Sequence, residues 1–310
     1  MKINKIIFKK EKAFKLENHQ LKVIVLPNRG GKIASIYNRT KKFELLYQNK
    51  ADKYQPIQLE KKFTAYDCSG FDDCFPNIDV AALYLNQKLY FYPDHGEIWS
   101  AKLVIKLKKD KIILSYHSPI FKYDYLKIIT LHENRLLINY QIKNNLKTAF
   151  PAIWTMHCLL NYDTNLKLKF PPGVNKIENV LLSQQLGPPG KIHSFPQTQD
   201  QIGQKYRFDR INYSPDKSSE KYYVANCFES GQCEVYYPTA DITFKLNFSA
   251  DKLPYLGFWL TRGGFKGDYN FAFEPSDGYY DSVITALKNK CISIYQPGEI
   301  KQFNLKLELE

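Results

Sequence analysis

The stretch Trp259-Leu260-Thr261-Arg262-Gly263-Gly264-Phe265-Lys266-Gly267-Asp268-Tyr269-Asn270-Phe271-Ala272-Phe273-Glu274-Pro275-Ser276-Asp277-Gly278 decides how the chain is read. Its aromatic and apolar residues predict a buried strand. Gly263, Gly264 and Gly267 supply a sharp turn before it. Glu274 stands at the strand's end, followed by a proline that lacks a backbone donor and is expected to stop the strand. A carboxylate in that position loses water, so its pKa rises unless donors hold the anion. A carboxylate tuned in this way can accept or return a proton. The plain alternative is a hydrogen-bonded structural corner.

Working outward, the same period of two recurs. Ile242, Phe244, Leu246 and Phe248 alternate with Thr243, Lys245 and Asn247, and Leu136, Ile138, Tyr140 and Ile142 alternate with Leu137, Asn139, Gln141 and Lys143. Phe303, Leu305, Leu307 and Leu309 repeat the pattern near residue 310. Such alternation is the signature of half-buried antiparallel strands. Turn residues separate the runs, and no long amphipathic helix is predicted. The expected fold is all-β, a large antiparallel β-sandwich formed as one domain over residues 1–310, a length that buries a sizeable core. From 171 to about 221 the chain turns polar and rich in Pro and Gly, which predicts a long loop near the cleft.

Composition narrows the function classes. Tyr (23) and Phe (20) are abundant, which suits strands and sugar-binding clefts. The net charge of +13 raises nucleic acid as a partner. However, the lysines alternate with apolar residues, as in Lys102-Leu103-Val104-Ile105-Lys106, and no nucleic-acid-binding motif accompanies them. No stretch approaches a membrane span, and the apolar run near Met1 is too short for a signal-peptide core. The six cysteines show no close pairing and read as free thiols of a cytoplasmic protein. Nucleotide-binding loops, GxSxG elbows and HExxH zinc motifs are absent.

Three more polar clusters sit among aromatics. Asp72 and Asp73 lie between Phe71 and Phe75. His95 follows Pro93-Asp94 in a turn. His157 falls inside the apolar run Ile153–Leu160. Adjacent acids on a strand face opposite sides, so one of Asp72 and Asp73 can enter a cleft. A lone histidine in an apolar strand is otherwise a satisfied core residue.

In order, Asn28-Arg29-Gly30-Gly31, Glu44-Leu45-Leu46, Asp94-His95-Gly96, Trp154-Thr155-Met156-His157, Trp259 and Glu274-Pro275-Ser276 with Asp281-Ser282 resemble the aldose 1-epimerase (galactose mutarotase-like) superfamily over nearly the whole chain. The resemblance implies a β-supersandwich with a sugar cleft on one concave sheet. It implies isomerisation of α and β anomers of an aldose by opening and reclosing the ring at C1, without cofactor or metal. By resemblance, Glu274 is the base that takes the C1 hydroxyl proton, and His157 is the acid that protonates the ring oxygen. His95 binds the substrate, with Asp72 or Asp73, Trp259 and Arg262 as further binding residues. Where well-known galactose mutarotases carry an arginine, Asn77-Ile78-Asp79 stands here. The family's further sugar-binding aspartate has no clear match, Asp209 and Asp241 being weak candidates. Arg207, Arg210 and Arg262 keep a hexose-6-phosphate substrate open. A non-catalytic carbohydrate-binding protein on the same scaffold is the competing class. The partner expected is a small-molecule sugar, bound by a monomer or homodimer.

Overall fold

Period-two alternation becomes strand wherever one face can be buried. In the computed structural model, which describes residues 1–58, 61–85, 87–212 and 217–310, Ile242–Phe248 alternates strictly between buried and half-buried positions. Tyr123–His132 and Arg135–Asn144 do the same over ten residues each and pair along their full length. Arg135–Asn144 then pairs with Ile300–Leu309, which places the alternating run near residue 310 in the middle of a sheet.

Among the described residues two large sheets dominate. One has thirteen strands. Its central path runs Lys2–Phe8, Glu11–Glu17, Leu21–Leu26, Lys32–Asn38, Phe71–Cys74, Thr155–Cys158, Tyr269–Ser276, Tyr255–Arg262 and Ser218–Val224. The other has nine strands, with Ile242–Phe248, Ile300–Leu309, Arg135–Asn144 and Tyr123–His132 at its centre. Among the described residues every pairing between strands is antiparallel, and only the isolated bridges Phe75–Gly96 and Ser218–Gly263 are parallel. Phe71, Trp154, Phe258, Phe271 and Phe273 meet Tyr125, Tyr140, Phe244 and Phe303 in one apolar core. The fold is thus all-β, with sheets packed face to face. The longest α-helix among the described residues is Val283–Lys288, six residues capped by Ser282. Among the described residues no helix is long and apolar enough to cross a membrane.

Two expectations change. The segment 171–221 is not a bare loop. It holds the short strands Lys176–Asn179, Ile192–Ser194, Gln197–Gln199, Lys205–Arg207 and Arg210–Ile211, and Ser218–Val224 begins inside it. The prolines and glycines among its described residues lie between strands too short to show a period. Residues 213–216 of that segment lie outside the described residues. Second, the strand carrying Glu274 runs through Pro275 to Ser276, because the missing proline donor falls one pair from the strand's end.

Candidate active site

Strand alternation places the polar residues of the large sheet's open face. Glu274 is paired with Gly257, Trp259 with Lys221, and Tyr223 with Gly257. Directly opposed residues share a face, so these side chains project to the same side. His157 comes to that side from the next strand, opposite Asp72. The opposite face of the same strands carries Phe258, Phe271 and Phe273 into the core. This is the physical content of the alternation in the 259–278 stretch: aromatics inward, and the carboxylate, indole and Asn270 outward.

A cleft of about 440 Å³ lies over this face. His95, His157, Lys221, Glu274, Asp281 and Asp79 form its ionisable wall, with Phe63, Trp259, Phe265, Leu159 and Leu181 as its apolar wall. Polar groups set among flat apolar surfaces, with Phe63 stacked on His95, suit a molecule that carries both hydroxyls and C–H faces. A second hollow, about 370 Å³ on the outer face of the nine-stranded sheet, has Asn139, Gln141, Gln302 and Asn304 along it, and its acid and base, Asp251 and Lys252, are exposed and paired with each other at 3.1 Å.

Glu274 is buried, 1% exposed. One carboxylate oxygen, Oε2, accepts from the Lys221 ammonium. The other, Oε1, has no hydrogen-bond partner. Gly257 makes room for this arrangement: a Cβ there would sit 3.2 Å from the Tyr223 ring and 3.3 Å from Glu274 Oε2. Burial raises the Glu274 carboxyl, Lys221 offsets part of that rise, and Asp281 adds to it. Burial alone would lower the Lys221 amine, but Asp281 at 3.6 Å and Glu274 outweigh it and hold the ammonium above its usual range. Asp281 also accepts from the Tyr223 hydroxyl at 2.6 Å.

The two histidines are held differently. His95 sits at φ 58°, in the left-handed region that costs most residues roughly 1–3 kcal/mol. Several contacts over-determine it. Its Nδ1 lies 2.8 Å from Asp94 Oδ1, its N–H donates to the Ile78 carbonyl, and its ring stacks on Phe63 at 4.2 Å. Asp94 Oδ2 in turn accepts from the Phe63 N–H at 2.8 Å, so one carboxylate places both stacked rings. Gly96 must be glycine, since a Cβ would meet the Phe75 carbonyl oxygen at 2.2 Å. The His157 ring meets His95 edge-on, centroids 5.4 Å apart, and its Nδ1 has no partner. Burial pushes the His157 imidazole well below its ordinary range, and the nearby His95, Lys221 and Lys32 push the same way. It is therefore neutral at neutral pH.

Of the residues singled out from the sequence, the cleft gathers His157, Glu274, His95 and Trp259. Trp259 donates from Nε1 to Asn270 at 3.1 Å, which orients the indole. The others lie elsewhere. Asp73 points into the sandwich core, where Lys127 and the Tyr140 hydroxyl hold it at 2.6 and 2.9 Å. Asp72 is on the cleft side of its strand but its carboxylate is bonded to Lys32 at 2.6 Å beneath the cleft wall. Burial raises the Asp72 carboxyl to about 6, with Lys32 pulling against it. Arg262 reaches away to Ser218 and Gln185. Asp209 pairs with Arg207, and Asp241 is exposed beside Lys41, so neither supplies a cleft carboxylate.

Sequence reasoning missed Lys221, Phe63 and Asn270. Asn270 was readable, being four residues before Glu274 on one strand and hence on its face. Lys221 alternates with Tyr222 beside Tyr223, a weak strand signal at the border of a segment read as loop. Phe63 comes from the short 3₁₀ turn Phe63–Ala65 and carries no local signal. All six cysteines are free, and Cys68 lies on the cleft wall. Among the described residues no three His, Cys, Asp or Glu side chains gather as a metal site would require.

Residues 2–105 match a domain of unknown function, DUF5107. No curated protein matches the chain. Solved structures are similar over nearly its whole length. A protein of Synechocystis sp. PCC 6803 superposes with TM-score 0.73 at 15% identity, covering 100% of this chain and 99% of that one. A galactose mutarotase-like protein from Lactobacillus casei gives 0.68 at 17% identity, covering 96% of this chain and 100% of that one. A galactose mutarotase-like protein from Clostridium acetobutylicum gives 0.68 at 14% identity, covering 100% and 98%. With its two packed antiparallel sheets and these neighbours, the chain has the galactose mutarotase-like fold.

Proposed function

We propose that the protein is an aldose 1-epimerase that interconverts the α and β anomers of an uncharged aldose. The observation that carries the reading is Glu274: a buried carboxylate with one oxygen held by Lys221 and the other unpartnered, in a cleft shared with His157. A buried anion with a vacant acceptor site is costly unless something arrives to fill it. A C1 hydroxyl is such a donor.

The chemistry follows from the two polar groups. Glu274 Oε1 takes the C1 hydroxyl proton while His157 gives its ring N–H proton to the ring oxygen. The C1–O5 bond then breaks to give the open-chain aldehyde. Rotation about the C1–C2 bond presents the other face of the carbonyl. Return of both protons closes the ring as the opposite anomer, so atoms balance and no other reactant is consumed. His157 acts in its neutral form, as neutral imidazoles do where burial keeps them uncharged. His95, fixed by Asp94 and stacked on Phe63, binds a neighbouring hydroxyl, and Trp259 lies against a C–H face.

The pH dependence follows with its sign. Glu274 must be ionised, so kcat/KM falls as pH drops through its raised pKa. His157 is already neutral, so no second fall is expected between pH 6 and pH 8, roughly the range where an ordinary histidine would titrate. A decline across that range that disappears in His157→Asn would show instead that the imidazolium is the acid.

Charge favours a substrate without phosphate. The one lysine on the cleft wall is already shared by Glu274 and Asp281, and Asp79 adds a third carboxylate. No arginine lines the cleft among the described residues, Arg207 and Arg262 being bonded elsewhere. A panel of free aldoses and their 6-phosphates, followed by polarimetry after dissolving a single anomer, tests this. Acceleration is expected for at least one free aldose and for none of the phosphates. Acceleration confined to phosphates would reverse the assignment.

A further inference from the structure

We propose that Lys221 is a positioning residue for Glu274: its ammonium grips one carboxylate oxygen, Oε2, and so leaves the other, Oε1, ionised and free to accept a proton. The proposal rests on the reading of Glu274 as proton acceptor and adds a residue to it.

The geometry is specific. Lys221 comes from the strand Ser218–Val224, two strands away from Glu274, with Tyr255–Arg262 between them. Its side chain must cross over that middle strand to reach Glu274. It can do so because the middle strand carries Gly257 opposite Glu274, where any larger residue would fill the passage. A lysine whose side chain is 11% exposed, reaching across a strand to a carboxylate 1% exposed, is not a surface ion pair formed by chance.

Every charged or titratable neighbour fits this role. On its own strand, Tyr223 offers its ring face to the ammonium at 5.9 Å. From the turn after Glu274, Asp281 lies at 3.6 Å and keeps Lys221 charged. From the strand Phe71–Cys74, Cys74 sits below, a buried thiol pushed well up by burial, and Asp72 is taken by Lys32. From Thr155–Cys158 comes His157, neutral through burial. From the loops on either side of the hairpin Ala81–Leu85 and Lys88–Tyr92 come Asp79, whose backbone N–H donates to the Asp281 carbonyl at 3.0 Å, and His95, bonded to Asp94. Lys221 is thus the one cation in contact with Glu274 among the described residues. Without it, a buried carboxylate facing Asp281 would take up a proton and lose its function as a base.

The grip also divides labour between the two oxygens. An anion held at Oε2 cannot rotate freely, so Oε1 keeps one orientation toward the substrate. Fixed geometry of this kind is a large part of what a catalytic site contributes.

The test reads Glu274 directly, without requiring turnover. Its side-chain carboxyl carbon is followed by ¹³C NMR through a pH titration of the free protein, assigned by its loss in Glu274→Gln. In Lys221→Met the midpoint is expected to rise by about 1–3 pH units, the usual influence of an adjacent opposite charge. Lys221→Arg should restore most of the shift. The acid limb of kcat/KM should move by the same amount in the same variants. Should Lys221→Met fail to fold, Asp281→Asn provides the second reading: it leaves Lys221 to Glu274 alone, and the midpoint is expected to fall. An unmoved midpoint in folded Lys221→Met, or a rise in Asp281→Asn, would overturn the proposal. If no aldose is turned over but the midpoint moves as stated, the epimerase reading fails and the role of Lys221 stands.

Discussion

Glu274→Gln is expected to lower anomer exchange by a factor of about 10²–10⁴ while leaving the fold intact, the range that loss of a general base produces. The substitution keeps shape and removes the proton acceptor. It also removes the partner of Lys221, which still has Asp281 at 3.6 Å to neutralise it. The ammonium is therefore not stranded, and the loss of stability should be small beside the loss of rate. KM should change little, because His95, Asn270 and Trp259 remain in place to bind the ring. A thermal unfolding curve measured with the rate separates the two effects. Equal losses of stability and activity would mark Glu274 as a structural residue.

The largest effect on stability is expected at Lys127, far from the cleft. Its ammonium lies in the sandwich core with 0% side-chain exposure, bonded to Asp73 at 2.6 Å. Tyr140 completes the set by donating to the other Asp73 oxygen. Lys127→Met leaves Asp73 as a buried anion with one neutral donor, and should cost about 3–5 kcal/mol. Asp73→Leu combined with Lys127→Met should recover much of that loss, since a buried ion pair stabilises little relative to apolar residues of similar size. Urea unfolding of both variants checks the pair. A near-neutral Lys127→Met would mean that Asp73 is solvated and not held in the core.

These two residues also show what the sequence could and could not say. The order of aromatic and polar residues around Glu274 was legible because strand alternation is local: faces are set by counting residues. The same count puts Asn270 on the face of Glu274 and sends Phe271 and Phe273 to the core. The histidines were legible through their motifs, and both reach the cleft. Asp72 and Asp73 were not, since each is decided by a lysine far along the chain, 40 residues away in one case and 54 in the other. Counting could say that the two acids face opposite ways, as they do, but not that both faces already held a cation. Lys221 was hidden for the same reason. Its partner is 53 residues on and joined to it across an intervening strand. Its own strand begins where Pro and Gly turns had erased the period. Contacts between strands distant in sequence carry the chemistry here, and a single sequence does not display them.

The central claim, that this cleft exchanges the anomers of an uncharged aldose, is most directly tested by magnetisation-transfer NMR on an equilibrated free aldose. The α and β C1–H signals are resolved, and exchange between them is slow without catalyst. With the wild-type protein, saturating one signal should deplete the other at a rate proportional to protein concentration, and Glu274→Gln should abolish the transfer. Binding of the sugar, seen as line broadening, with no transfer of saturation would contradict the claim and leave a carbohydrate-binding protein in its place.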